Sequence, residues 1–439
     1  MKELILTLIV SICSAQYLNF FVVTDIHYDI AYQQNYSYPY LCHSVGIDGE
    51  KLNPVPTNDT APLGRYFCDS PMTLAALAFQ QMKAVNPNPD FILLLGDSVA
   101  HFTSTLLNQQ GVYDKEADKN LVLSTFTKVT QLFTKYFPNT QLLPVIGNND
   151  GFSDYQIPEG VEGTNYLKFL YNLWSPLIGF MTDTFMKGGY YASITKGGLN
   201  FICLNSNYFS THIKLPLIEA DEQLEWLRSQ LQANRAKSII IMHISPGVSM
   251  YGKGDPDWDN DYVTKFLSIV TAFQSKISYI FAGHYHFGFF QLVPGTQLSI
   301  IVHPSVSPFF GNNPGFRYYT LNGNTQDYID YTYDLNQTGW YTHSFSQMYN
   351  LDTLNFTSVY SMLSKNFTML NQFLARSYGL DVEPGIANEY VWNLALGLNY
   401  TTQQSLGRSV MLCSMQYLAF SDFQKCIGNV RGLLRGRNH

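Results

Sequence analysis

Along the chain, short apolar runs each stop at a polar tip. Residues 18–24 read Leu-Asn-Phe-Phe-Val-Val-Thr and end in Asp25-Ile26-His27. Asp90 to Leu95 ends in Gly96-Asp97-Ser98, and Gln141 to Ile146 in Gly147-Asn148-Asn149-Asp150. Ser238 to Met242 ends in His243, Ile277 to Ala282 in Gly283-His284-Tyr285-His286, and Leu199 to Leu204 is a further run. Apolar runs of this length, bounded by turn residues, predict buried strands. Helical spacings lie between them. Ser70-Pro71 predicts a helix start, with Ser at the N-cap and Pro at N1, and Leu74, Leu77, Ala78 and Met82 continue it to Asn86-Pro87. Asp221 opens another helix with Leu224, Leu227 and Leu231 on one face. This rhythm predicts an α/β architecture with layered sheets and places the polar residues where such sheets build their sites. From about residue 335 onward the composition changes and residues 345–435 hold long helical stretches, which predicts a core domain over 16–335 and a helical C-terminal subdomain over 336–439.

Composition narrows the partners. Hydrophobic residues make up 46% of 439, enough for a sizeable core, which excludes wholesale disorder. The net charge is −7 with no Lys/Arg run, so no nucleic-acid partner is expected. Met1-Lys2, the apolar Leu4 to Ile12, and small Cys13 and Ala15 before Gln16 read as a secretory signal peptide over residues 1–15. That run is too short to span a bilayer, no later stretch is long enough, and no transmembrane segment is expected. The protein is therefore expected to be secreted, or to reside in the lumen of a secretory or lysosome-like compartment. Sequons at Asn35, Asn58, Asn336, Asn355, Asn366 and Asn399 are then candidate glycosylation sites. In an oxidising compartment Cys42–Cys68 and Cys413–Cys426 are expected to pair, each closing a local loop, and Cys203 reads as a free core thiol.

The candidate chemistry sits at five strand ends: Asp25/His27, Asp97, Asn148, His243 and His284/His286. Oxygen and imidazole donors without a thiolate favour a first-row divalent ion such as Zn²⁺, Mn²⁺ or Fe²⁺. Seven ligands are too many for one tetrahedral ion and suit two ions sharing a carboxylate, an arrangement that clamps a phosphate. The ordered series Asp-x-His, Gly-Asp, Gly-Asn-x-Asp, His, Gly-His-x-His resembles the calcineurin-like metallophosphoesterase superfamily. Gly96-Asp97-Ser98-Val99-Ala100-His101, Gly188-Gly189-Tyr190-Tyr191, Leu204-Asn205-Ser206-Asn207-Tyr208, Pro304-Ser305-Val306-Ser307-Pro308 and Asn313-Pro314-Gly315-Phe316-Arg317-Tyr318 resemble the acid sphingomyelinase-like phosphodiesterases. That resemblance covers about residues 18–430. Gln16 leads directly into the first strand with no saposin-like domain before it, which favours the sphingomyelinase-like phosphodiesterases over acid sphingomyelinase itself.

The resemblance implies a layered metallophosphoesterase β-sandwich flanked by helices, with 16–335 as the catalytic domain. It assigns Asp25, His27 and His286 to one ion, Asn148, His243 and His284 to the other, and Asp97 to both. Ala100 stands where purple acid phosphatases carry a tyrosine, which favours two zinc ions. One position departs from the pattern: the family's Gly-Asn-His-Asp/Glu is here Gly147-Asn148-Asn149-Asp150, so Asn149 replaces the catalytic histidine. An amide is no general acid near neutral pH, and His101 is the best substitute. The expected function is a monomeric, secreted phosphodiesterase using a metal-activated hydroxide on nucleotides or other soluble phosphodiesters and pyrophosphates. The alternatives are a sphingomyelin phosphodiesterase or a catalytically impaired metal-binding surface glycoprotein.

Overall fold

A computed structural model describes residues 17–37, 41–47, 55–108, 110–195, 197–214, 218–249, 254–322, 325–380 and 400–435. The leader over 1–15 and the sequon at Asn399 lie outside them. The first sheet holds β1 (Leu18–Val23), β2 (Phe91–Leu94) and β3 (Gln141–Pro144). The second holds β4 (Tyr191–Ile194), β5 (Asn200–Cys203), β6 (Ser238–Ile241), β7 (Ile277–Ala282), β8 (Phe289–Leu292) and β9 (Ser299–Val302). Three late strands, β10 (Gly315–Asn322), β11 (Thr325–Asp334) and β12 (Gly339–Ser344), return to the first sheet. Strand order is β12-β11-β10-β1-β2-β3 in the first and β4-β5-β6-β7-β9-β8 in the second. β1, β2 and β3 run parallel, as do β5, β6, β7 and β9.

The helices are α1 (Met72–Val85), α2 (Lys115–Tyr136), α3 (Gly160–Ile178), the short α4 (Phe185–Gly188), α5 (Ile218–Ala233) and α6 (Asn260–Ala272). After the last strand come α7 (Phe345–Tyr349), α8 (Phe356–Lys365), α9 (Phe367–Ser377), α10 (Tyr400–Gln416) and α11 (Phe420–Arg435). Alternation along β1 explains why its run is apolar at nearly every position. Phe20 and Val22 face the inter-sheet core with Phe91, Leu143 and Phe281. Phe21 and Val23 face Leu74, Phe79 and Met82 of α1 and Phe133 of α2. Successive side chains point to opposite faces, and both faces are covered.

Two sequence expectations shift. The first sheet runs past the expected boundary at residue 335 to Ser344, while the C-terminal helices begin at Phe345, where the helical stretches are expected. They share the inter-sheet core: Phe345, Leu363, Phe373, Met411 and Phe423 belong to the same buried cluster as Phe290. At α1, Pro71 takes the N-cap position without a side-chain cap. Ser70 is drawn into a bridge with Tyr28, its N–H bonded to the His27 carbonyl at 3.0 Å, so tertiary pairing overrides its capping propensity. Both expected disulfides form, and Cys203 is buried and unpaired.

Candidate metal centre

The polar tips at the ends of β1, β2, β3, β6 and β7 converge, bringing all seven sequence-predicted ligands together. His27 Nε2 lies 3.4 Å from Asp97 Oδ2 and 3.0 Å from His286 Nε2. His243 Nε2 lies 3.2 Å from the same Asp97 oxygen and 3.0 Å from Asn148 Oδ1. Asp97 Oδ2 thus stands between two imidazoles reaching in from opposite sheets. His284 groups with Asp97 and His243. Asp25 Oδ1 is 3.5 Å from His286 Nε2.

The sequence folds this way at some local strain. Asp25, His27, Asp97, His284 and His286 all adopt left-handed backbone, with φ of 49°, 43°, 51°, 77° and 60°. Such conformations are unusual for residues with a Cβ and concentrate at functional sites. The loops need glycine where they cross: a Cβ on Gly147 would lie 2.1 Å from Asp97 Oδ1. Two imidazoles are held in one tautomer. His27 Nδ1–H donates to Val99 O at 2.7 Å and His243 Nδ1–H to Leu95 O at 2.6 Å, which leaves each Nε2 lone pair facing the centre.

The electrostatics describe a site built for cations. Burial works to raise the Asp25 and Asp97 carboxyls, but His243 and His27 outweigh it and hold both below the usual carboxylate range. Conversely, burial opposes charge on His27 and His243, while Asp97 and Asp25 push them up to about 10 and about 9. Two buried carboxylates demand positive charge, which protons on imidazole supply and divalent ions would supply instead. Asp25 Oδ1 and His286 Nδ1 are buried without a hydrogen-bond partner. Orphaned donor atoms in an oxygen-and-imidazole set fit divalent metal ions.

Three further carboxylates organise the centre. Asp150 is fully buried and accepts four backbone N–H bonds, from Asp97, Ser98, Val99 and Gly147, at 2.8 to 3.1 Å. It ties the β2 and β3 loops together, although burial and the charge of Asp97 push its carboxyl up to about 6. Asp154 accepts the Asn148 Nδ2–H at 2.9 Å, which turns Asn148 Oδ1 toward His243. Asp69 accepts from the His101 N–H at 2.7 Å, from its ring Nδ1 at 3.1 Å and from Ser307 Oγ at 2.9 Å. The His101 ring is stacked between His27 and Phe309, at 4.0 and 4.1 Å. Asn149 is turned inward, its N–H and Nδ2–H both donating to the Asp97 carboxylate at 2.8 Å.

Sequence reading assigns no role to Asp69, Asp150 or Asp154. Asp150 lies in the quoted Gly147 run, but its four amide partners come from chain segments 50 residues apart. Asp69 follows Cys68 directly, so the Cys42–Cys68 bridge anchors it. Replacing both cysteines by serine is expected to lower stability by about 3 kcal/mol in the chain-entropy account. It should also lower activity in protein that remains folded, because Asp69 orients His101. Thermal melts and assays below the melting range separate the two, and full activity in folded double mutant would refute the coupling.

Strand-end aspartates, histidines and an asparagine meeting between two α/β sheets define a metallophosphoesterase centre. The chain belongs to the calcineurin-like phosphoesterase family, whose sequence profile matches residues 18–288. It is 29% identical to a sphingomyelinase phosphodiesterase D of Dictyostelium discoideum, over 76% of this chain and 78% of the relative. It is 28% identical to a human acid sphingomyelinase-like phosphodiesterase 3b, over 72% and 71% of the two chains. A cyclic GMP-AMP phosphodiesterase of Mus musculus is 30% identical over 71% and 72%. The expected resemblance to acid sphingomyelinase-like phosphodiesterases is borne out, and the chain is a phosphodiesterase of this family, a phosphoric diester hydrolase.

Proposed function

We propose that the protein is a secreted, zinc-dependent hydrolase of soluble phosphodiesters or pyrophosphates, nucleotides foremost, acting as a monomer. The observation that carries this reading is the position of Asp97 Oδ2, 3.4 Å from His27 Nε2 and 3.2 Å from His243 Nε2. Asp25, His27 and His286 would hold one ion, Asn148, His243 and His284 the other, and Asp97 both. Bound there, two divalent ions supply Lewis-acid charge for the phosphoryl group and lower the pKa of water. The chain's own residues do the rest. Asp150 and Asn149 hold Asp97 in place. Asp69 accepts the His101 Nδ1–H, so Nε2 is the nitrogen that carries a proton to the leaving oxygen. The His101 side chain is 14% exposed, which keeps it in reach of substrate while mostly shielded from water.

A cleft of about 220 Å³ opens beside this histidine, lined by Phe102, Thr103, Thr105, Asn149, Ser153 and Asp154, and would receive one substituent of the diester. Among the described residues no helix is long and apolar enough to cross a membrane. Asn58, Asn336, Asn355 and Asn366 are exposed and Asn35 is half-buried, as glycan acceptors require. Asn355 and Asn366 cap α8 and α9 through Oδ1, so a glycan on Nδ2 leaves either cap intact.

The deciding experiment is a substrate panel on the purified secreted protein, with and without added zinc. It comprises bis-p-nitrophenyl phosphate, nucleoside triphosphates, CDP-choline, sphingomyelin and a phosphomonoester. Zinc-stimulated cleavage of the diesters and nucleotides is expected. Cleavage confined to sphingomyelin would shift the substrate to lipid. Cleavage confined to the monoester would overturn the reading.

A further inference from the structure

We infer that Tyr155 is a further catalytic residue, its phenol O–H donating a hydrogen bond to a phosphoryl oxygen on the Asn148–His243–His284 side of the centre. The inference rests on the hydrolase reading above and deepens it. Asn149, where the family pattern carries histidine, commits its N–H and one of its two Nδ2–H donors to Asp97. Tyr155 lies six residues further along the same loop. Its backbone N–H is tied to Asn148 O at 2.9 Å, and its φ of 58° is left-handed. A bulky aromatic residue in that region is a true outlier, held only where the surroundings over-determine it.

Three contacts aim the side chain. The phenol oxygen is 3.4 Å from His284 Nε2. The ring stands edge-on to the His284 ring at 86°. Its other neighbour is the exposed His212 ring, 4.5 Å away. With Nε2 against the phenol, Nδ1 is the His284 nitrogen left for the group it forms with Asp97 and His243. Nε2 then carries the ring proton and donates it to the phenol oxygen. A phenol has one proton, and an oxygen accepting from His284 must point that proton elsewhere. Pointed along the edge of the ligand cluster, that proton would meet a phosphoryl oxygen held beside Asp97, His243 and His284. No proton is transferred in this role; the bond stabilises charge that grows on the phosphoryl oxygens.

The test is Tyr155→Phe, which keeps the ring packing and removes only the hydroxyl. The readouts are kcat, KM, bound metal, and calorimetric affinities of the metal-loaded protein for orthovanadate and inorganic phosphate. Loss of one such donor should lower kcat by about 10²-fold and leave KM nearly unchanged. Orthovanadate, which mimics the five-coordinate transition state, should lose affinity in parallel with kcat, and phosphate much less. Bound metal should match wild type. In an Asn149→His background, which returns a donor to the loop, Tyr155→Phe should matter less. Unchanged kcat and orthovanadate affinity would overturn the inference. So would weakened metal retention with full activity at saturating metal, which would make the hydroxyl a support for His284 alone. If the wild type cleaves no diester, the hydrolase reading fails by itself, and orthovanadate binding still decides the role of Tyr155.

Discussion

Asp97→Asn is expected to abolish hydrolysis and to drop bound metal below two ions per chain while the protein stays folded. Asp97 Oδ2 is close to both His27 and His243, at 3.4 and 3.2 Å, nearer to each than Asp25 Oδ1 at 3.7 and 3.9 Å. Neutralising it removes the negative charge shared by the two halves of the centre. The substitution is also sterically unforgiving in its hydrogen bonds: both Asp97 oxygens accept from Asn149, so an amide nitrogen at either place would face a donor. The loss should exceed the roughly 10²–10³-fold typical of removing a single electrostatic contact, because retention of the ions is lost with it. Metal analysis, a thermal melt and an assay on one preparation suffice. Two ions and normal activity in the variant would sink the assignment of Asp97 as the shared ligand.

The second large effect is a split by leaving group. If His101 protonates the leaving oxygen, His101→Ala should slow diesters with alkoxide leaving groups by about 10²–10⁴-fold. Diesters that release p-nitrophenolate, and pyrophosphates, need little proton assistance and should slow far less. Asp69→Asn should give the same split in weaker form, since it removes the charge and one of the two oxygens that face the His101 Nδ1–H. Asn149→His should raise rates on alkoxide diesters selectively, although it also removes one of the bonds that clamp Asp97. A uniform loss across leaving groups in His101→Ala would reduce His101 to a phosphate-binding residue. Should Asn149→His change neither substrate class, the departure at 149 is catalytically silent, and the impaired-glycoprotein alternative loses its motivation.

Much of the fold is visible in the chain because parallel strands covered on both faces must be apolar along most of their length. Ile277 to Ala282 is the length of β7, and the runs at Phe91, Gln141 and Ser238 begin the strands expected there. The long α2 and α6 are absent from the sequence reading, although Val122, Phe126, Val129 and Phe133 recur at helical spacing in α2. Strands β10 to β12 are missed for a different reason. They mix Tyr, Thr, Asp and Asn, many of them half-buried, and they join the sheet only because β10 pairs with β1 and β11 and β12 add on beyond it.

The sequence by itself determined the class of chemistry, both disulfides and the seven candidate ligands that the fold brings together. Metal ligands must be specific residue types at the ends of specific strands, and that leaves an ordered signature in one dimension. Only the tertiary structure decided what supports those ligands. That Asp69 orients His101, that Asp150 gathers four amides, that Asn149 turns onto Asp97 and that Tyr155 meets His284 all depend on loops that cross in space. Five of the seven candidate ligands are themselves left-handed, although none of the five is glycine. Their strain is sustained by packing and hydrogen bonds from distant segments, and a local pattern of residues does not encode it.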